Sequence, residues 1–330
     1  MDKVKIVVTD YTYESLETEK KILSQQNVEF CDYHLKTEDQ VIEAAKDCSV
    51  LVVQYAPITR KVIESLKNCK LIIRYAIGVD NIDLEAATEC GIYVANVPDY
   101  GIDEVSTHTV AMILACARKL SETFDTVKSK LWNYALVKPL HRTLNTRLGL
   151  IGLGRIPSDV AKKMSGFGMD IVAYDPYAKK DYAQSIGVEL VSFEELVTTS
   201  DYVSVHCPLT EETRGMFNAS VFKRMKKTAI LVNTARGPIV NEKDLIDALK
   251  NGEIAYAALD VMETEPIPHD SPLLGMKNVI LTPHIAWYTE ESIESLKTKL
   301  AEEIVYVLNG NVPKNLVNKE VLENMEHMKG

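Results

Sequence analysis

Hydrophobic and polar positions alternate along this chain in two registers. Short, almost wholly apolar runs at 4–8, 50–53, 71–73 and 92–95 have the length and β-branched content of buried parallel strands. Between them, 14–25 and 59–67 place apolar residues at helical spacing. Strand and helix in turn predict a small parallel sheet with helices on both faces. After a crossing segment, Asn96 to Gly101, the run 105–120 is apolar almost all round, as in a helix buried on most sides, and a subunit interface is one way to bury it. Residues 132–147 lack either period and read as an arm or loop. Strand-like runs then resume at 148–151, 171–174, 188–190, 202–206, 229–233, 256–260 and 279–282, and form a second, larger sheet. From about Thr289 the period is helical again through Leu308, and that helix can return to the first domain. The pattern predicts an α/β protein of two doubly wound parallel-sheet domains.

Composition adds bounds. A chain of 330 residues can bury two cores. A net charge of −10 with dispersed Lys and Arg argues against nucleic acid or an anionic membrane as main partner. No apolar run approaches the roughly 20 residues of a membrane span, and the first strand begins at once, leaving no room for a signal peptide. The six cysteines form no Cys-x-x-Cys pair and no His cluster accompanies them, so reduced thiols in the cytoplasm are expected and a metal site is not.

Candidate chemistry centres on 148–175. An apolar strand runs into Gly152-Leu153-Gly154-Arg155-Ile156-Pro157, then an amphipathic helix, then a second strand ending in Asp175. That order is expected of a dinucleotide site. Gly152 allows a tight turn, and Gly154 lets main chain approach a pyrophosphate held by a helix N-terminus. Asp175 is placed to accept hydrogen bonds from a ribose diol and to repel a 2′-phosphate, which favours NAD over NADP. Pro157 stands where a third glycine is usual, a substitution tolerated in a helix's first turn. Arg236, the acids Asp260, Glu263 and Glu265, and His284 follow the last strands, whose C-terminal ends face one crevice. An arginine, an acid and a histidine beside a nicotinamide suit hydride exchange with a 2-hydroxy acid. Arginine grips a carboxylate, histidine exchanges a proton near neutrality, and a carboxylate fixes the imidazole's tautomer. The glycine-containing turn after the third strand, Arg74 to Asp83, has N–H groups that could hold a carboxylate.

On these residues the chain resembles the D-isomer-specific 2-hydroxyacid dehydrogenase family. The motifs are Arg74 with Gly78-Val79-Asp80-Asn81, Gly152-x-Gly154-Arg155-Ile156, Tyr174-Asp175-Pro176, His206-x-Pro208-Leu209-Thr210, Asn233-x-x-Arg236-Gly237, Leu259-Asp260-Val261, Glu265-Pro266 and Pro283-His284. The resemblance implies a Rossmann cofactor domain (101–288) inserted in a smaller flavodoxin-like substrate domain (1–100 and 289–330). It implies a triad of Arg236 as substrate anchor, His284 as acid/base and Glu265 as its partner. Gly152, Gly154, Arg155, Ile156, Asp175, Cys207, Thr234, Ala235, Arg236, Asp260 and His284 would contact NAD. Tyr75, Ala76, Ile77 and Gly78, with Arg236 and Trp287, would contact the small 2-oxo or 2-hydroxy acid. A homodimer joined through the cofactor domains is implied as well. Gln54-Tyr55-Ala56, Asn96-Val97-Pro98 and Ala286-Trp287-Tyr288 are most similar to the branch that includes C-terminal-binding proteins, so an NADH-sensing scaffold that binds partner peptides is the alternative to an enzyme. Phosphoglycerate dehydrogenases tend to carry arginine where this chain has Gln54, and formate-oxidising relatives carry glutamine where it has Glu265.

Overall fold

The structure, a computed structural model, describes residues 3–327. The chain divides into two compact units, Met1–Gly101 with Thr289–Gly330, and Ile102–Tyr288.

In the first unit, strands β1 (Val4–Val8), β2 (Val28–Asp32), β3 (Val50–Val53), β4 (Leu71–Arg74) and β5 (Tyr93–Ala95) form an all-parallel sheet in the order β2-β1-β3-β4-β5. This is the flavodoxin-like order, with its switch point between β1 and β3. Of the interior strands, β3 is wholly buried and apolar throughout, while β1 is buried over Ile6–Val8 and β4 over its first three residues, the charged Lys5 and Arg74 lying outside those buried runs. β2 has no such run: Val-Glu-Phe-Cys-Asp pairs only with β1 at the sheet edge and is half-buried. For that reason the apolar pattern alone does not reveal it. Helix Glu290–Leu308 is capped by a reciprocal Thr289–Ser292 box and buries Leu296, Leu300 and Ile304. After it, Leu316 bridges Ala95 and the Val317 N–H donates to the Val94 carbonyl at 2.8 Å, so the C-terminal segment is tied to the same unit.

The second unit holds β6 (Arg147–Ile151), β7 (Asp170–Tyr174), β8 (Glu189–Leu190), β9 (Tyr202–Val205), β10 (Ile230–Asn233), β11 (Tyr256–Leu259) and β12 (Val279–Leu281), all parallel, in the order β12-β11-β10-β9-β6-β7-β8. The first strand of the unit, β6, lies inside the sheet, and the order reverses between β6 and β9, where doubly wound sheets bind dinucleotides. Apolar clusters lie around Phe217, Phe222 and Leu245, and around Ile113, Leu148 and Val160. The apolar run at 105–120 lies almost wholly in the helix Ile102–Ala117, and after a left-handed Lys119 a second helix, Leu120–Lys128, begins at its last residue. The first buries Val105, Thr109, Met112, Ile113 and Cys116. The second buries no residue. No helix among the described residues is long and apolar enough to cross a membrane.

Candidate active site

The turn after β6 has the backbone a dinucleotide cradle requires. Gly152 sits at φ +95°, and a Cβ there would lie 3.2 Å from the Cys207 nitrogen, so the turn packs directly on the chain leaving β9. Gly154 caps helix Arg155–Met164 in extended conformation, and nothing lies within 4 Å of the position its Cβ would occupy. Main-chain N–H groups with open space in front of them are what a pyrophosphate needs. Arg155 and Ile156 open that helix, and buried Pro157 occupies its third position. Asp175, at the end of β7, accepts from the Leu153 N–H at 2.8 Å through one oxygen, and from the Tyr177 and Ala178 N–H groups at 2.8 and 3.1 Å through the other. The acid is thereby locked to the glycine turn. The residues present fit NAD.

Two groups beside the cradle are held neutral. Burial pushes His206 down to about 3, and its Nε2 lies 2.8 Å from the Ser204 hydroxyl. Burial pushes the Cys207 thiol up to about 11, so it lines the site as a thiol and not as a nucleophile.

The catalytic candidates come from the ends of β10, β11 and β12, which are neighbours in the sheet. Asn233 shapes the first turn: its side chain accepts from the Ala235 N–H at 3.0 Å and donates to the Arg236 carbonyl at 2.9 Å. Gly237 follows, where a Cβ would fall 1.9 Å from the Met262 carbonyl. The turns after β10 and β11 therefore touch main chain to main chain, which brings Arg236 toward Glu265. The carboxylate of Glu265 accepts from the Met262 N–H at 2.9 Å and lies 2.7 Å from Nδ1 of His284. Burial alone raises the Glu265 pKa. The His284 hydrogen bond, the Met262 N–H and the charges of His284 and Arg236 together outweigh it, and the net shift is downward. An ionised carboxylate only accepts, so Nδ1 carries the proton and Nε2 is left for chemistry.

His284 has φ +52°, a left-handed conformation that a non-glycine residue keeps only when its surroundings enforce it. Asp260 is the enforcing group. It is 1% exposed, and its carboxylate accepts from the Thr282 hydroxyl at 2.6 Å and from the Ile285 and Ala286 N–H groups at 2.9 and 3.0 Å. Its carbonyl takes the His284 N–H at 2.8 Å. The Trp287 indole N–H donates to the His284 carbonyl at 2.9 Å, so this residue braces the turn from the other side. Sequence reasoning singled out none of Thr282, His108 and Thr109. His108 Nε2 lies 3.1 Å from the Thr282 hydroxyl, and Thr109 and Thr234 share a hydrogen bond of 2.8 Å. The one sequence signal of His108 and Thr109 is their polarity inside an otherwise apolar helix, and Thr282 has only its place just past a strand end.

In the first unit, the Tyr75 N–H donates to the Val53 carbonyl at 2.9 Å, and the turn that follows, Ala76 to Gly78, has its carbonyls tied and its N–H groups open. The Ala76 carbonyl takes the Val97 N–H at 3.0 Å, Ile77 takes the Asn96 amide, and Gly78 takes Arg74 Nη1 at 2.9 Å. Among the described residues, no acceptor faces the N–H groups of Ala76, Ile77 and Gly78. Successive free N–H groups of this kind form an anion nest.

A nucleotide cradle at a sheet switch point, beside an acid–histidine pair and an arginine, defines an NAD-dependent oxidoreductase. The profile described as D-isomer specific 2-hydroxyacid dehydrogenase, NAD binding domain, matches residues 110–286. The chain is 42% identical over 287 residues to a glyoxylate reductase of Korarchaeum cryptofilum, covering 86% of each chain. It is 44% identical over 317 residues to a D-3-phosphoglycerate dehydrogenase of Methanocaldococcus jannaschii, covering 96% of this chain and 59% of that one. Among solved structures, a D-lactate dehydrogenase of Aquifex aeolicus complexed with NAD and lactic acid superposes with TM-score 0.85 at 30% identity, covering 92% of this chain and 96% of that one. The chain belongs to the D-isomer-specific 2-hydroxyacid dehydrogenase family. Relatives named for enzymes of this chemistry do not favour the peptide-binding scaffold.

Proposed function

We propose that the protein reduces a small, unphosphorylated 2-oxo acid, of the glyoxylate or hydroxypyruvate type, to the D-2-hydroxy acid, with NADH as reductant. The observation that carries the residue roles is the 2.7 Å contact between Glu265 and Nδ1 of a strained His284. Bound NADH supplies the hydride. Glu265 fixes the imidazole through Nδ1, so Nε2 of His284 faces the reaction and can hand a proton to the carbonyl oxygen as charge develops there. Arg236 anchors the substrate and polarises its carbonyl. The nest at Tyr75–Gly78 takes the carboxylate. Trp287 acts here through the His284 turn it braces. Asp175 takes the adenosine ribose, and Gly152, Gly154, Arg155, Ile156, Cys207, Thr234, Ala235 and Asp260 line the remainder of the dinucleotide.

Size selectivity follows from the neighbours of the nest. Gln54 is buried and engaged: its oxygen accepts from the Thr12 N–H at 2.8 Å and its nitrogen donates to the Tyr13 hydroxyl at 3.2 Å. Arg60 is occupied by Glu89 and Glu85 at 2.5 and 3.3 Å. Neither supplies a cation for a phosphate. The named activity of the glyoxylate reductases among the relatives supports the same reading.

Helix Leu120–Lys128 exposes Leu120, Phe124 and Val127 at helical spacing, and the stretch after it exposes Leu131, Trp132 (89% exposed) and Tyr134 (79%). A run of large apolar side chains this exposed supports a homodimer through the cofactor unit. Six free cysteines support the cytoplasm as the compartment.

Steady-state NADH oxidation across glyoxylate, hydroxypyruvate, pyruvate and phosphohydroxypyruvate tests the proposal. His284→Ala should lower turnover by ~10²–10⁴-fold. Near-normal turnover in that variant would remove the mechanism, and a preference for phosphohydroxypyruvate would remove the substrate assignment.

A further inference from the structure

The first unit buries an acid that the chemistry above leaves unused. Glu19, on helix Glu17–Leu23, is 0% exposed. One carboxylate oxygen accepts from the Tyr75 hydroxyl at 2.7 Å. The other has no hydrogen-bond partner and lies 3.7 Å from Nζ of Lys297, itself buried on helix Glu290–Leu308 and donating to the Ser15 carbonyl at 2.7 Å. Burying such a pair is costly, and an apolar pair of similar volume would often be as stable. Stability is therefore a poor reason for the acid. Its direct hydrogen-bond partner is Tyr75, the first residue of the anion nest.

Tyr75 is held from several sides. Its ring meets Tyr13 edge-on at 5.3 Å, and Tyr13 takes a hydrogen bond from Gln54. At the far end of the nest, Arg74 ties the Gly78 and Gln54 carbonyls, each at 2.9 Å. With Tyr75 pinned through its hydroxyl at one end and Gly78 through its carbonyl at the other, the three free N–H groups between them keep one geometry. A nest prepared in advance does not have to be ordered when the anion arrives.

We propose that Glu19 is a positioning residue for substrate binding, which holds the Tyr75–Gly78 nest in shape for the carboxylate of the 2-oxo acid by anchoring the Tyr75 hydroxyl. This rests on the reading of that turn as the carboxylate site.

The test uses the full chain and the variants Glu19→Ala, Glu19→Gln and Tyr75→Phe, each checked for folding by circular dichroism. Wild type is measured in parallel on the best 2-oxo acid of the panel, and NADH affinity is measured separately by fluorescence titration. Glu19→Ala and Tyr75→Phe should raise KM for the 2-oxo acid roughly 10–100-fold, the range for losing a hydrogen bond to a charged group. kcat should change much less, and NADH affinity should stay put. Glu19→Gln keeps an acceptor for Tyr75 and should recover most of the KM. If Glu19→Ala does not fold, Tyr75→Phe decides. Wild-type KM in a folded Tyr75→Phe, or NADH affinity falling in step with KM, overturns the role of Glu19 and leaves the functional reading standing. Absence of wild-type turnover on every 2-oxo acid sinks both.

Discussion

Gly237→Ala probes the join between the arginine turn and the turn that carries Glu265. A Cβ at this buried position would lie 1.9 Å from the carbonyl carbon and oxygen of Met262 and 2.5 Å from the Glu263 nitrogen. Carbon atoms in good contact sit ~3.5–4.0 Å apart, so one main chain has to retreat from the other by about 1.5 Å. Both partners are backbone, and no side chain can swing aside. The retreating segment includes Met262, whose N–H holds Glu265 at 2.9 Å, and Glu265 in turn holds His284 at 2.7 Å. A shift of this size carries either bond past the distance at which a hydrogen bond is meaningful. Overpacking of this kind costs ~1–3 kcal/mol, and each kcal/mol lowers Tm by roughly 2–4 °C in a unit this large. A misplacement of about 1 Å at the reacting groups costs ~10²-fold in rate. Thermal denaturation and kcat/KM on the preferred 2-oxo acid should fall together. Gly154→Ala is the contrasting control: its Cβ meets no heavy atom within 4 Å, so Tm should hold while KM for NADH rises. Wild-type Tm and kcat/KM in Gly237→Ala would refute the argument that this glycine sets the spacing of the triad.

Asp175→Asn removes the charge but keeps an acceptor for the glycine turn, so the preference for NADH over NADPH, taken as a ratio of kcat/KM values, should fall at least ~10-fold; an unchanged ratio counts against the ribose role. The Glu265 pKa is lowered in the folded state, so its contribution to stability is present above the unfolded value near about 4.3 and is lost as pH falls through the folded value. Glu265→Gln should consequently flatten the rise of Tm with pH below the unfolded value, and parallel curves for the two proteins would contradict that assignment. At the exposed apolar residues of helix Leu120–Lys128, Phe124→Glu should convert the proposed dimer to monomer in sedimentation velocity; a wild type that sediments as a monomer would remove this interface.

Much of the cofactor site is legible in the amino-acid order, because its determinants are local. An apolar run, a glycine turn, a helical period and an acid at the next strand end lie within 148–175, and each follows from short-range sterics and hydrogen-bonding capacity. The repeating strand and helix pattern likewise implies parallel sheets, and the sites after β10, β11 and β12 are marked by their residue types. Other features need the folded chain. Edge strand β2 has no apolar run to show it, since one side of its ladder is unpaired. Gly237 is one glycine among fifteen until Met262 is found against it. Asp260 reads as a cofactor contact, yet its buried oxygens hold the turn that strains His284. Glu19 sits in a short, charged helix that would pass for surface, and only Lys297 and Tyr75, brought in from distant parts of the chain, reveal it as interior. Periodicity and turn chemistry act over a few residues and can be read in order. Burial, close approach and the pairing of charges are decided by which distant segments pack together, and that is settled by the tertiary structure.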